Sequence, residues 1–150
     1  MPTQAEKVRA FRALHERAGA FLIPNPWDVG TACLLAKLGF EALATTSAGY
    51  AFSLGKRDNA VGREPMLLHI AAIVAATTLP VNADLENGFG DDPKTVAETM
   101  RQAASTGLAG GSIEDATGCK GDPIYALGFA VERVRAAVEA VRALPVPFLL

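Results

Sequence analysis

The sequence lacks the cysteine patterns and the excess of basic charge that mark several classes of protein. Its 150 residues include two cysteines, Cys33 and Cys119, with no CxxC pair and no Cys/His spacing, which argues against a disulfide framework and against a zinc site. The 14 basic and 16 acidic residues leave a net charge of −2. We therefore expect no nucleic-acid partner, since nothing in the composition attracts a polyanion.

Long apolar segments and glycine-rich phosphate loops are also absent. The longest apolar runs, such as the one around residues 70–76, are interrupted well before a membrane-spanning length. The first residues, MPTQAEKVRAF, contain no apolar signal-peptide core. Neither GxGxxG nor GxxxxGK occurs in IPNPWDVG, which argues against a Rossmann or P-loop nucleotide site. The expectation is a cytoplasmic protein with no membrane partner.

What the sequence does contain is an alternation of helix-like and strand-like segments, in what we take to be a single domain of residues 1–150. Half of the residues are hydrophobic and 20% are charged, as in folded domains. Thr3 and Glu6 form a T-x-x-E capping box, and valines spaced by three, four and three residues from Val131 to Val141 predict an amphipathic helix. The predicted helices cover residues 3–19, 29–39, 65–78, 93–107 and 129–144, the predicted strands cover residues 20–24, 41–46, 79–85, 108–115 and 145–150, and residues 47–64 and 116–128 are predicted loops.

Strand followed by helix, repeated, predicts a parallel sheet covered by helices. An open doubly wound sheet and a (β/α) barrel both fit. Polar residues follow three successive strands, in TTSAG, DLEN and EDATG, which favours the barrel, because its active sites lie at the carboxyl ends of the strands. A full barrel of the TIM type needs eight strands and about 250 residues. We therefore expect about the first half of such a barrel, either as part of a longer protein or as a half that completes itself by association.

Three carboxylates fall at or just beyond the ends of neighbouring strands. Asp84 and Glu86 are two residues apart and therefore point to the same side of a strand, and Glu114 follows the next strand. Oxygen donors without a thiolate or an imidazole suit Mg²⁺ or Mn²⁺. The alternative is that such acids cap helices, which we favour for the two aspartates that precede Pro93.

Two loops carry further candidates. Ser47 and Gly49 open the first long loop, where backbone N–H groups can approach an anionic ligand, although an ordinary turn fits equally well. In the same loop Asp58 and the preceding arginine can form a surface pair. Cys119 lies in a glycine-flanked loop beside Lys120, a setting in which a thiol can act as an acid or a nucleophile.

Taken together, NPWDVGTACLLAKLGFEALATTSAGYAFSLGKRD, PVNADLENGFG and GGSIED resemble, in order and spacing, the isocitrate lyase/phosphoenolpyruvate mutase superfamily. The resemblance runs from about Asn25 to Asp115 and more loosely to the end of the chain. It implies a (β/α)₈ barrel and a homo-oligomer, usually a tetramer in which an end helix is swapped. It also implies an enzyme that uses Mg²⁺ to bind a 2-oxo acid or its enolate and that makes or breaks a C–C or P–C bond.

The resemblance also assigns roles to residues. Asp84 matches the direct Mg²⁺ ligand, and Glu86 and Glu114 match acids that complete the metal site through waters. Asp58, in GKRD, matches the acid that the family places near the metal and the substrate. The segment that holds the carboxylate and the enolate oxygen of the pyruvyl unit corresponds to Thr46, Ser47 and Ala48. A loop after the fourth strand is expected to close over the substrate.

That loop departs from the pattern of the family's lyases. They carry a K-x-C-G-H-type motif with an acid/base cysteine, whereas this loop reads GCKGD. Cys119 is the corresponding candidate, but the missing histidine counts against isocitrate or 2-methylisocitrate lyase activity. The family's substrate-binding arginine follows the fifth strand, so the resemblance leads us to expect it beyond Leu150. Two alternatives to a Mg²⁺ enzyme remain: a catalytically inactive truncated barrel, and a small-molecule-binding domain that needs no metal.

Overall fold

The computed structural model describes residues 1–150 and contains six helices and five strands. The helices are Gln4–Glu16 (α1), Val29–Lys37 (α2), Ser47–Ser53 (α3), Arg63–Ala76 (α4), Pro93–Ser105 (α5) and Leu127–Arg142 (α6). The strands are Leu43–Ala44 (β1), Val81–Asp84 (β2), Gly110–Ser112 (β3), Ala116–Cys119 (β4) and Asp122–Ile124 (β5). All five predicted helices are present, and α3 is additional. None of the helices combines the length and the apolar character that crossing a membrane requires.

Side chains that the sequence places at the right spacing cap the starts of α1 and α5. Glu6 N donates to Thr3 Oγ1 at 3.3 Å and Thr3 N donates to Glu6 Oε2 at 2.7 Å, which confirms the predicted capping box. Asp92 caps α5 by accepting a hydrogen bond from Lys94 N at 2.8 Å. These bonds satisfy backbone donors that a helix leaves free in its first turn.

The sheet that positions the candidate site consists of β1, β2 and β3 in that order, all parallel. Leu43 pairs with Val81, and Asp84 pairs with Ser112. Parallel neighbours separated by helices confirm the predicted α/β class and bring the carboxyl ends of three strands to one edge. Three strands do not close a barrel, so the half-barrel of the TIM type stays a prediction for this chain.

The predicted strands at residues 20–24 and 145–150 are wrong as strands of this sheet. The first segment lies beside β1, where Ala44 N donates to Pro24 O at 3.1 Å. The second forms one isolated bridge, between Gly110 and Leu149. Prolines at positions 24, 26, 145 and 147 explain both results, because proline lacks the N–H group that a ladder of hydrogen bonds needs.

Both predicted loops contain regular structure. Within residues 47–64, α3 begins where Thr46 Oγ1 accepts a hydrogen bond from Gly49 N at 3.2 Å. A helix of seven residues is too short for apolar periodicity to announce it. Within residues 116–128, β4 and β5 pair as an antiparallel hairpin, in which Gly118 has a φ of 75° that favours glycine.

The hydrophobic core lies between the sheet and the helices, with a separate cluster under α1. In that cluster Val8, Phe11 and Leu14 of α1 pack against Ala42 and Ala109. The two alanines immediately precede β1 and β3, so α1 covers the amino ends of the strands. The carboxyl ends carry the polar residues.

The last helix, α6, is amphipathic as predicted, but of its valine stripe only Val141 is buried. Val131 and Val134 are 45% and 47% exposed. The buried residues of α6 are Arg133, Ala137, Ala140 and Val141. An arginine therefore occupies the core-facing side of this helix.

Candidate active site

Asp84, the last residue of β2, is held by three hydrogen bonds. Ser47 N and Ser47 Oγ donate to Asp84 Oδ2 at 2.8 and 2.7 Å, and Glu86 N donates to Oδ1 at 3.0 Å. Two bonds use both lone pairs of Oδ2, whereas Oδ1 keeps one. The carboxylate is thus fixed at the end of the strand with one oxygen available to a further partner.

The segment after β1 supplies the two Ser47 donors because β1 and β2 are adjacent and parallel. Thr45 Oγ1 accepts a hydrogen bond from Asp84 N at 3.1 Å, and Ser47, the first residue of α3, is 5% exposed. The structure therefore brings Ser47 to Asp84. Thr46 uses its hydroxyl to cap α3, and Ala48 is the second residue of that helix. The substrate-binding role of these three residues stays a prediction.

Glu86 presents a buried carboxyl group with an unpaired oxygen. The residue is 5% exposed, and Glu86 Oε1 has no hydrogen-bond partner. Burial, and then three neighbouring carboxylates, raise the pKa of this group to about 7. Those neighbours are Asp84, Asp58 and Glu114. A buried acid in this setting is unfavourable in its charged form unless a proton or a cation neutralises it.

Glu114 and Asp58 reach the same edge from two other loops. Glu114 N donates to Glu86 O at 2.8 Å, which joins the loop after β3 to the loop after β2. Burial raises the pKa of Glu114, and the charges of Asp84 and Asp58 raise it further. Asp58 is exposed and accepts a hydrogen bond from Asn59 N at 2.9 Å.

These four carboxylates form a negatively charged edge without converging on one point. No group of three His, Cys, Asp or Glu side chains is close enough to hold an ion directly. The donor set is nevertheless all oxygen, as Mg²⁺ prefers, and Mg²⁺ keeps several waters that can bridge to carboxylates. The unpaired Glu86 Oε1 and the free lone pair of Asp84 fit an ion held largely through water.

The space beside Glu86 is a cavity of about 730 Å³. Its lining includes Glu86 and Asn87 after β2, and Thr117 and Cys119 on β4. Cys119 is exposed and not in a disulfide. The hairpin therefore places the predicted acid/base thiol on the same cavity as the predicted metal-site acid.

Sequence patterns do not identify two residues that shape this edge, Tyr125 and Arg133. Arg133 is 1% exposed and borders a second cavity, of about 590 Å³, together with Glu114. Tyr125 OH donates to Asp91 Oδ1 at 2.5 Å. An arginine in an amphipathic helix ordinarily lies in solvent, so only the folded contacts reveal its position.

Residues 11–150 match the family of phosphoenolpyruvate phosphomutase. The chain belongs to this family. The match confirms the resemblance to the isocitrate lyase/phosphoenolpyruvate mutase superfamily that the motifs predicted. Among curated relatives, 2-methylisocitrate lyase of Escherichia coli strain K12 is 31% identical over 140 residues, which cover 88% of this chain and 47% of the relative.

Solved structures share the fold. A protein from Burkholderia cenocepacia J2315, provisionally assigned as a lyase or mutase, is 69% identical with a TM-score of 0.95, and the match covers 97% of this chain and 53% of that one. Oxaloacetate acetylhydrolase, solved with its product oxalate, is 29% identical with a TM-score of 0.85, covering 98% and 52%. Phosphonopyruvate hydrolase, solved with oxalate and Mg²⁺, is 21% identical with a TM-score of 0.85, covering 93% and 48%; that likeness shows the fold alone.

The chain spans about half the length of these proteins. Over that half, its α/β fold matches the TIM-barrel-like fold of the superfamily. Its relatives include lyases.

Proposed function

We propose that this chain carries the Mg²⁺ site of an enzyme that acts on a pyruvate-like 2-oxo acid or its enolate and makes or breaks a C–C or P–C bond. The observation that carries the proposal is that two acidic residues, Asp84 and Glu86, lie together at the end of β2. Asp84 is fixed by Ser47, and it lies next to the buried, unpaired carboxyl group of Glu86. Membership of the family supports chemistry of the lyase or mutase type.

In this proposal Asp84, whose Oδ1 keeps a free lone pair, would be the direct Mg²⁺ ligand. Glu86 and Glu114 would complete the site through waters, and Asp58 would lie near the ion and the substrate. Mn²⁺, which prefers the same oxygen ligands, can replace Mg²⁺. When bound, the ion supplies positive charge beside the substrate oxygens, where negative charge builds up during the reaction.

The substrate side of the proposed site is the start of α3. Ser47 N and Oγ are occupied by Asp84, and Thr46 Oγ1 accepts from Gly49 N. The N–H of Ala48, in the first turn, has no acceptor within the helix, which makes it the available donor to a substrate carboxylate or enolate oxygen. Cys119, on the cavity that Glu86 borders, is the proposed acid/base.

Oxalate tests this proposal because it mimics the enolate of pyruvate. A ligand at about 100 times its Kd stabilises a protein by about 2.7 kcal/mol. We expect the melting temperature to rise when Mg²⁺ and saturating oxalate are present together. A rise with oxalate alone would instead favour the metal-independent binding domain.

Two variants sharpen the test. Asp84→Asn keeps a hydrogen-bond acceptor for Ser47 and removes the charge, so the shift should disappear. Asp92→Asn is the matched control, since asparagine also caps a helix well, and it should keep the full shift. Absence of a shift in the wild type, or an equal shift in Asp84→Asn, would count against the metal site.

We also propose, from the family resemblance, that the working form is a homo-oligomer. Leu34, Leu38 and Leu68 are 56%, 66% and 74% exposed. A partner that covers such apolar side chains removes them from water, which favours association. Light scattering after size-exclusion chromatography measures the mass directly. A single monomeric species over a range of concentrations would contradict the proposal.

A further inference from the structure

Arg133 is a buried arginine without a carboxylate partner. It is 1% exposed, and the ion pairs of the structure join other residues. Its guanidinium donates instead to the main-chain oxygens of Asn87, Gly90 and Asp91, with a distance of 2.7 Å to Gly90 O. Burying a charge is unfavourable unless hydrogen bonds compensate it. The planar fork of arginine can serve several acceptors at once, and all three lie in one loop.

Tyr125 holds the same loop through its side chain. Its ring centroid lies 4.1 Å from Arg133 Cζ, a cation–π contact. Its hydroxyl donates to Asp91 Oδ1 at 2.5 Å and accepts from Asn87 Nδ2 at 2.9 Å. Tyr125 N donates to Asp115 O at 2.9 Å, so the residue also joins this loop to the one after β3.

The loop that these two residues hold, residues 86–91, has an unusual backbone. Glu86 and Phe89 have φ angles of 50° and 59°, in a region that residues with side chains seldom adopt. Such conformations persist only where the surrounding contacts impose them. Glu86 is the first residue of the loop and carries the unpaired carboxyl oxygen. The contacts of Arg133 therefore lie in the segment whose backbone conformation depends on surrounding contacts.

We propose that Arg133 is a positioning residue for the carboxyl group of Glu86. With Tyr125, it holds residues 86–91 in the conformation that presents Glu86 to the cavity, and it touches neither substrate nor metal. Its functional consequence rests on the Mg²⁺ site proposed above. An apolar residue would fill the same space in the core without the loss of hydration that a buried charge incurs, and it would leave the loop's carbonyl groups unpaired.

The experiment compares Mn²⁺ binding by the full 150-residue chain and its variants, measured by calorimetric titration. Arg133→Lys keeps the charge and loses the planar fork, and Tyr125→Phe keeps the ring and loses the hydroxyl. Loss of contacts that orient metal ligands weakens metal binding by about 10–100-fold. We expect Arg133→Lys to bind Mn²⁺ about tenfold more weakly or worse, and Tyr125→Phe to show a smaller loss. Arg142→Lys, an exposed arginine on the same helix, is the matched control and should bind as the wild type does.

Amide hydrogen exchange without metal provides the second measurement. We expect faster exchange within residues 86–91 of Arg133→Lys, with the buried amides of α4 and α5 unchanged. An increase spread evenly over all helices would show a general stability role and overturn the inference. Wild-type Mn²⁺ affinity in Arg133→Lys would overturn it as well. If the wild type itself binds no Mn²⁺, the proposed metal site falls, whereas binding by the wild type without loss in the variant refutes the positioning role alone.

Discussion

Replacing Glu86 with glutamine should stabilise the metal-free protein and weaken its binding of Mg²⁺ by about 10–100-fold. Glutamine has nearly the same shape as glutamate and carries no charge. The side chain is buried, at 5% exposure, and its Oε1 has no partner. The charged form of Glu86 therefore opposes folding, and a neutral amide at the same position avoids that penalty.

The size of the effect follows from the pKa of Glu86, which rises from 4.5 to about 7 in the folded protein. One pKa unit corresponds to about 1.36 kcal/mol, so ionisation of Glu86 destabilises the fold by about 3 kcal/mol at alkaline pH. The folded state binds this proton more tightly than the unfolded state. Its contribution to stability is therefore fully present below about pH 4.5 and is lost as the pH rises to about 7.

Urea denaturation in the presence of a chelator, followed by the fluorescence of the single tryptophan, measures this difference. At about pH 8.5 we expect Glu86→Gln to exceed the wild type by about 1–3 kcal/mol, and at about pH 4.5 we expect near equality. The expected gain extends below the full effect of ionisation because the buried amide group of the glutamine also loses hydration. Added Mg²⁺ should stabilise the wild type at alkaline pH and stabilise the variant less at the same concentration.

Glu139→Gln, an exposed glutamate on α6, is the matched control for the substitution itself. The reasoning is refuted if Glu86→Gln is no more stable than the wild type at alkaline pH. A gain of the same size at both pH values would also refute it, because the effect would then not come from ionisation.

Three further substitutions or treatments test the surroundings of the site. Ser47→Ala removes the 2.7 Å hydrogen bond to Asp84 and should cost about 1–3 kcal/mol of stability, with weaker binding of Mg²⁺ and oxalate in the thermal-shift assay. Gly49→Ala would place a Cβ atom 2.6 Å from Trp27 Nε1 and should destabilise the protein by about 1–3 kcal/mol, as measured by urea denaturation. Alkylation of the exposed Cys119 by iodoacetamide should slow several-fold when Mg²⁺ and oxalate fill the adjoining cavity.

Each of these tests has a comparison within the chain. Ser53→Ala replaces an exposed serine on the same helix, α3, and should leave ligand binding unchanged. Gly128→Ala in α6 adds a Cβ with nothing within 4 Å and should be neutral or slightly stabilising. An equal loss in either pair would show that the effect is not local. For Cys119, a reaction rate that ignores the ligands would place the thiol outside the occupied space.

Along the sheet, local residue patterns account for some elements and not for others. Periodicity and caps predict the long helices, and the α/β class follows from their alternation with apolar strands. The predicted strands at residues 20–24 and 145–150 are wrong because a short apolar run looks like a strand whether or not its backbone can pair. The prolines within and next to these segments prevent a continuous ladder of hydrogen bonds, so that only isolated contacts at Ala44 and Leu149 remain. The short helix α3 and the hairpin are missed because their side chains carry no apolar pattern that a local rule can detect.

For the site, the sequence by itself determined which acids stand at the strand ends. Asp84 and Glu86 follow a predicted apolar strand, although strand alternation does not relate them, since β2 ends at Asp84 and Glu86 has a φ of 50°. The position of Glu114 follows from the parallel order of neighbouring strands. Only the tertiary structure decided how these groups are held. The bond from Ser47 to Asp84, the unpaired oxygen of Glu86 and the buried position of Arg133 all depend on contacts between segments that lie far apart in the chain. Burial and pairing are properties of the packed fold, so no local pattern of residues encodes them.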